Sequence, residues 1–336
     1  MTIEHENVNL VELSEAQTRQ YIDAESAWRA LQDARLAATE VRGSMMWRTQ
    51  NGRCYLIRVA ATGGQTSLGP ASPENELIYE RFMARKTAVQ SRQSQLQEVL
   101  QQHIRLNRAL RVGRVPNVVV DALNALARAG LQNHFLTVGT HALYAYETAC
   151  GVRVQTEATA TQDIDLLLDT RKYLQFASTM QRLDTSLLSI FQKVDKTFVL
   201  REDQKYTAVN ASGFEIDVIR RSAQTGAGTD PHPLRVSAFE DDFWAVQVSS
   251  GQALLDGGRF SQMVVATNGN MATMHAPAPE SFVRIKTALG QQRDRDPLKS
   301  RKDSLQARVV TQLLDHCGLR QVVNARATPE TKQADL

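Results

Sequence analysis

Apolar residues recur at two periods along the chain, and the switches between them predict its elements. Ala24, Trp28, Leu31, Ala34 and Leu36 recur near helical spacing with no proline among them, which predicts a helix over 14–41. Residues 46–59 read instead as two strand-like runs around Asn51-Gly52, a dipeptide that favours a two-residue hairpin turn. A Gly/Ser/Pro stretch then ends at Ser72-Pro73-Glu74-Asn75-Glu76, where serine before proline and early acids mark a helix start. The long Gln/Arg-rich helix that follows is predicted over 73–111, with Leu77, Tyr79, Phe82, Val89, Leu96, Leu100 and Ile104 among its apolar residues.

Gly113 and Pro116 end that helix, and a different texture begins. A helix over 117–129 precedes a strand at 134–138 that runs into Gly139-Thr140 and a helix over 141–149. After a polar link come a strand at 163–168, a helix over 171–183, and strands near 197–200, 205–210 and 214–220. The Gly/Pro-rich region 223–245 reads as loop. Met263–Thr267 and Met271–His275 flank Asn268-Gly269-Asn270 as a second hairpin, and Pro277 and Pro279 introduce a helix over 280–290. A charged link leads to a last helix over 299–315, and the polar tail after Gly318 is expected to be loose. The succession divides the chain into a helical region with a small hairpin (1–112), an α/β (α+β) core (113–245), a hairpin and helical region (246–318) and a flexible tail (319–336). No internal repeat is visible.

Composition narrows the class without changing this outline. At 336 residues, with 42% hydrophobic and 22% charged positions, the chain can bury a sizeable core. The net charge of +3 leaves any basic surface to local clustering. Cys54, Cys150 and Cys317 lie far apart with no CxxC pair, which points to a reducing compartment and away from a zinc site. The opening residues lack the apolar core of a signal peptide, and no run of about 18 apolar residues occurs. A cytoplasmic location with no membrane partner is the expectation.

The chemistry concentrates in Asp163-Ile164-Asp165-Leu166-Leu167-Leu168. In a strand, residues i and i+2 share a face, so the two aspartates point one way while Ile164, Leu166 and Leu168 enter a core. Carboxylates held side by side repel each other unless a cation lies between them, and hard oxygen ligands suit Mg²⁺ carrying a nucleotide's phosphates. Gly139-Thr140 forms a strand–turn–helix junction, where backbone amides and a hydroxyl can hold phosphate; many such turns hold nothing. A third acid is available in Gly213-Phe214-Glu215-Ile216-Asp217-Val218-Ile219. Asp217, deeper in the apolar strand, is the choice, and Glu215 the reserve.

Gly-Thr opening a helix, Asp-x-Asp on a strand and a third acid on a later strand together resemble the polymerase-β-type nucleotidyltransferases. Within them the chain is similar to the minimal nucleotidyltransferases of abortive-infection and toxin–antitoxin systems, over roughly residues 117–310. The resemblance implies a mixed β-sheet core with flanking helices and two Mg²⁺ ions on Asp163 and Asp165. It further implies that Asp217 helps to activate an acceptor hydroxyl and that Gly139 and Thr140 grip the NTP triphosphate. Thr140 stands where serine is commoner, and the 22 residues between Thr140 and Asp163 exceed the usual spacing.

Basic segments add candidates. Lys286, early in the helix over 280–290, reaches a triphosphate if that helix packs over the site, while Lys302-Asp303 reads as a structural pair. Arg105, Arg108, Arg111 and Arg114 recur every three residues and form a stripe that can grip a nucleic-acid backbone, although such runs also suit a solvated helix end. His141 reads as a helix-surface or satisfied residue; Trp47, Tyr55 and Trp244 read as packing. The function expected is transfer of an NMP from an NTP to a hydroxyl. An RNA acceptor such as a tRNA 3′ end ranks first, a protein or small-molecule acceptor next, and an antitoxin-like protein is a candidate partner. The alternative is a non-catalytic nucleotide- or nucleic-acid-binding regulator.

Overall fold

The computed structural model describes residues 9–222 and 233–319. It divides into two compact units, Arg19–Leu110 and the remainder of the chain. A short strand β1 (Val11–Glu12) leads into helix α1 (Glu15–Glu40). Then follow β2 (Ser44–Gln50), β3 (Arg53–Val59), β4 (Gln65–Pro70) and the long helix α2 (Pro73–Ala109). Asn51 and Gly52 both take positive φ (51° and 76°), as a tight β2–β3 turn requires. The hairpin carries a third strand, β4, within the stretch read as Gly/Ser/Pro linker. β4 is almost wholly exposed, so no apolar alternation marks it. Ser72 caps α2 by accepting from Asn75 N at 3.2 Å, with Pro73 in the first turn. The Arg58 guanidinium lies 4.4 Å from the Phe82 ring centre, and Lys86 donates to the Gly43 carbonyl at 2.6 Å.

The second unit continues with α3 (Asn117–Arg128), β5 (Phe135–Val138), α4 (Ala142–Cys150), β6 (Val152–Arg153), α5 (Thr156–Thr159) and β7 (Asp163–Leu168). Next come α6 (Tyr173–Leu183), α7 (Leu187–Gln192), β8 (Val199–Leu200), β9 (Thr207–Val209) and β10 (Glu215–Arg221). The last elements are β11 (Leu234–Arg235), β12 (Trp244–Val248), α8 (Gly251–Asp256), the hairpin β13 (Arg259–Val265) and β14 (Met271–Pro277), α9 (Pro279–Gly290) and α10 (Pro297–His316). The region expected as loop over 223–245 therefore contains β11 and the start of β12, which pair antiparallel. Its residues 223–232, like most of the tail after Gly318, lie outside the described residues. The long interval between Thr140 and Asp163 is filled by α4, β6 and α5. No described helix is long and apolar enough to cross a membrane.

Among the described residues the core is a mixed seven-stranded sheet ordered β11-β12-β10-β7-β5, with β8 and β9 joined at the first half of β10. β7 and β10 run parallel in register, and β5 runs antiparallel to β7. Ile164, Leu166 and Leu168 with Ile216 and Val218 enter the main core, which α3 and α4 also line. The opposite face holds a smaller cluster in which Leu136, Val138 and Leu167 meet Leu254 and Leu255 of α8, with Ile219 and Ile285 packed against it. The apolar cover therefore extends only part way along β7, and the acidic start of the strand is left without it.

A buried ion pair holds α4 to the loop that follows it. Glu147 accepts from Arg114 Nε at 2.9 Å and from the Val154 amide at 3.1 Å, and Arg114 also donates to the Val154 carbonyl at 2.8 Å. Burial pushes the Glu147 carboxyl upward, and Arg114 opposes that shift. Arg114 thus serves the core and is not part of a basic stripe. Glu147→Ala is expected to cost about 3 kcal/mol in urea unfolding, because it leaves a guanidinium and an amide without their partner.

Candidate functional site

The sheet register brings the acids together. Asp163 and Asp165 occupy one face of β7, and parallel pairing sets Glu215 beside Asp163 and Asp217 beside Asp165. One carboxylate oxygen from each of Asp163, Asp165 and Asp217 falls within 4.8 Å of the others. Glu215 is drawn aside by an ion pair with Arg201. Two of the three acids are oriented by hydroxyls that sequence reasoning did not single out. Thr161 Oγ1 donates to Asp163, and Thr207 Oγ1, directly across the strand pair from Asp217, donates to Asp217 Oδ1 at 2.6 Å. The Thr-x-Asp spacing ahead of Asp163 was visible in the sequence; the Thr207 contact depends on the β9–β10 pairing and was not.

The electrostatics follow from this crowding. All three carboxylates keep partial solvent access, but protein crowds Asp165 most. Its burial, followed by the charges of Asp163 and Asp217, pushes its carboxyl up to about 7, against the opposing pull of Lys286 and Lys302. Burial also raises Asp217, offset by the Thr207 hydrogen bond. The donor set is all hard oxygen, and its middle member resists ionisation. Such a site fits a hard divalent cation, which relieves the repulsion that otherwise retains a proton.

Gly139 closes the site from β5. Its φ is +63°, and a Cβ built there would lie 2.1 Å from Asp165 Oδ2. The glycine therefore admits the carboxylate as well as making the turn. Thr140 is buried, and its Oγ1 accepts from Gln306 Nε2 of α10 at 3.0 Å, while the same amide donates to the Ala158 carbonyl at 2.9 Å. His141 is not a surface residue. It is 1% exposed, neither ring nitrogen makes a well-formed hydrogen bond, and burial holds it neutral, down to about 4, against the pull of Asp163.

Helices α9 and α10 present the cations. Lys286 extends from α9 and donates to Asp303 Oδ1 at 2.7 Å. Lys302 donates to the Ala160 carbonyl at 2.7 Å, just before the first acid. The pairing expected between Lys302 and Asp303 is thus replaced by Lys286–Asp303, because Asp303 faces inward on α10. Of the arginine stripe, Arg105 and Arg108 are exposed on α2, and Arg111 follows that helix with its side chain exposed. Trp244 stands on β12 between Lys205 and Arg235, whose charged groups lie 5.9 and 5.4 Å from its ring centre.

Residues 117–326 match a protein-family model described as a nucleotidyltransferase. No curated protein and no solved structure matches the chain.

Proposed function

We propose that this chain, which belongs to the nucleotidyltransferase family, transfers an NMP from an NTP to a hydroxyl acceptor at the Asp163–Asp165–Asp217 cluster. The observation that carries the reading is the convergence of three carboxylates, one oxygen from each within 4.8 Å, beside a glycine turn. Asp163, Asp165 and Asp217 would hold Mg²⁺, two ions in the polymerase-β-type reading. Bound metal of this kind offsets developing charge and makes a hydroxyl a better nucleophile. The chain's own residues do the rest. Thr161 and Thr207 donate to Asp163 and Asp217 and so fix these two carboxylates. Asp217 Oδ2, the oxygen not engaged by Thr207, takes the proton of the acceptor hydroxyl as its oxygen bonds to the α-phosphorus and the bond to the β-phosphate breaks, releasing pyrophosphate. The turn at Gly139 and Thr140, with Lys286, receives the triphosphate.

RNA is the favoured acceptor, with a tRNA 3′ end first. The exposed Arg105 and Arg108 and the likeness to toxin-type nucleotidyltransferases support it, and the same likeness makes an antitoxin-like partner and a cytoplasmic toxin or phage-defence role part of the proposal. The test is incubation of the purified protein with each α-labelled NTP, Mg²⁺ and either total tRNA or cell lysate. Label is expected in the RNA fraction, lost on Asp217→Asn and kept on Glu215→Gln. Absence of transfer to every acceptor would sink the reading, and the reverse mutational pattern would move the third role to Glu215.

A further inference from the structure

Two of the three cysteines, about 170 residues apart in the chain, come together in the fold. Cys150 is the last residue of α4, and Cys317 caps the C-terminus of α10. One backbone carbonyl serves both. Leu313 O accepts from the Cys317 amide at 3.2 Å and from Cys150 Sγ at 3.9 Å. The two thiols also hydrogen-bond to each other. Both are free, and both are half-buried against the main core. Cys54 lies on β3 in the other compact unit.

The pair sits at the far end of a helix packing that starts at the acidic site. Gln306 of α10 donates to Thr140, in the turn that leads into α4, at 3.0 Å. Cys150 lies ten residues after Thr140, and Cys317 eleven after Gln306. At about 1.5 Å of rise per residue these are matching lengths, so the two helices run outward together from the Thr140 contact to the thiols. The inner half of α10 carries Lys302 and Asp303, so whatever fastens its outer end also steadies the groups beside the triad.

We infer that Cys150 and Cys317 form a reversible disulfide that fastens the end of α10 to the end of α4 when the surroundings turn oxidising. This site does not depend on the nucleotidyl-transfer reading. The oxidant is a small disulfide of the oxidised-glutathione class. Cys317, as thiolate, attacks one of its sulfurs, forming a mixed disulfide and releasing one glutathione. Cys150, as thiolate, then attacks Cys317 Sγ, which forms the Cys150–Cys317 bond and expels the second glutathione. Each proton lost by a cysteine ends on a departing glutathione, and two electrons pass from the pair to the oxidant. The order follows from Cys150, whose thiol is pushed up by burial and then by its neighbour; a thiol that resists ionisation is a poor first nucleophile.

Incubation of the folded full chain with oxidised glutathione, followed by peptide mapping without reduction, tests the inference. A peptide pair joining Cys150 to Cys317 is expected, with Cys54 outside the linkage and full reversal by dithiothreitol. The oxidised protein should melt at least about 5 °C above the reduced one, because the bond closes a loop of about 170 residues in the unfolded chain. Cys150→Ser should stop at one glutathione on Cys317, Cys317→Ser should leave Cys150 unmodified, and neither should gain in melting temperature. If a serine variant does not fold, the oxidised and reduced wild type still decide. Absence of the linkage from the folded protein overturns the inference, and so does a linkage that leaves the melting temperature unchanged.

Discussion

Asp165→Asn is expected to abolish nucleotidyl transfer, by at least about 10³-fold, while making the metal-free protein more stable at pH 8. The two effects have one origin. In the folded chain the Asp165 carboxyl titrates at about 7, above its ordinary 3.8, because the surrounding protein desolvates it and two further acids repel its charge. The fold therefore holds this proton more tightly than the unfolded chain does. Its stabilising contribution is complete below the unfolded value and is lost as pH rises through the folded one, leaving a penalty of a few kcal/mol above pH 7. Asparagine removes the penalty along with the charge. Melting temperatures in EDTA should favour the variant most at pH 8 and converge with wild type toward pH 4. Added Mg²⁺ should reverse the order at pH 8, since it stabilises the wild-type site and not the variant. Because cation and proton compete for the same oxygens, the Mg²⁺ midpoint should fall as pH rises through 7. A variant no more stable than wild type in EDTA at pH 8 would show that the acids do not repel as placed.

Gly139→Ala should cost at least about 10²-fold in transfer, the order expected when a reacting group is moved by about 1 Å. The added Cβ would stand 2.1 Å from Asp165 Oδ2, so either the carboxylate or the turn must shift. The positive φ adds strain of about 1–2 kcal/mol. Gly151, at the C-cap of α4, separates these causes. Its φ is +66°, but a Cβ there meets nothing within 4 Å. Gly151→Ala should thus lose comparable stability in thermal melts and retain transfer. Equal losses of activity in the two variants would assign the effect to backbone strain instead of to the carboxylate.

What could be read from the chain alone follows from how far each signal reaches. Asp163 and Asp165 were legible because their alternation with apolar residues is local, and Asn51-Gly52 because a turn needs only its own residues. The choice of Asp217 over Glu215 had a weaker basis in the sequence. Both acids lie beside a β7 acid, and what separates them is Arg201, which reaches back from outside β10 to hold Glu215. The strand β4 escaped notice because exposure removes its apolar alternation, and β11 because two residues are too few to show a period. Asp303 carries no local sign of being buried between Lys286 and Arg295; only the packing of α9 against α10 reveals it. Arg114, in the loop after α2, follows the same rule, since its spacing matched a surface stripe while its partner Glu147 lies on α4.

The parallel pairing of β7 with β10 has a consequence for how the protein matures. Parallel neighbours cannot be joined by a tight turn, so Asp165 and Asp217 meet only after the whole stretch from residue 169 to 214 has crossed over and docked. An extended or half-folded chain presents Asp163 and Asp165 without their third partner and has no cage to offer. A divalent cation held by all three acids would be a ligand of the finished fold alone, and by mass action it would draw newly made chains toward that state. On that reading, the yield of folded protein is expected to rise with the supply of free metal during refolding.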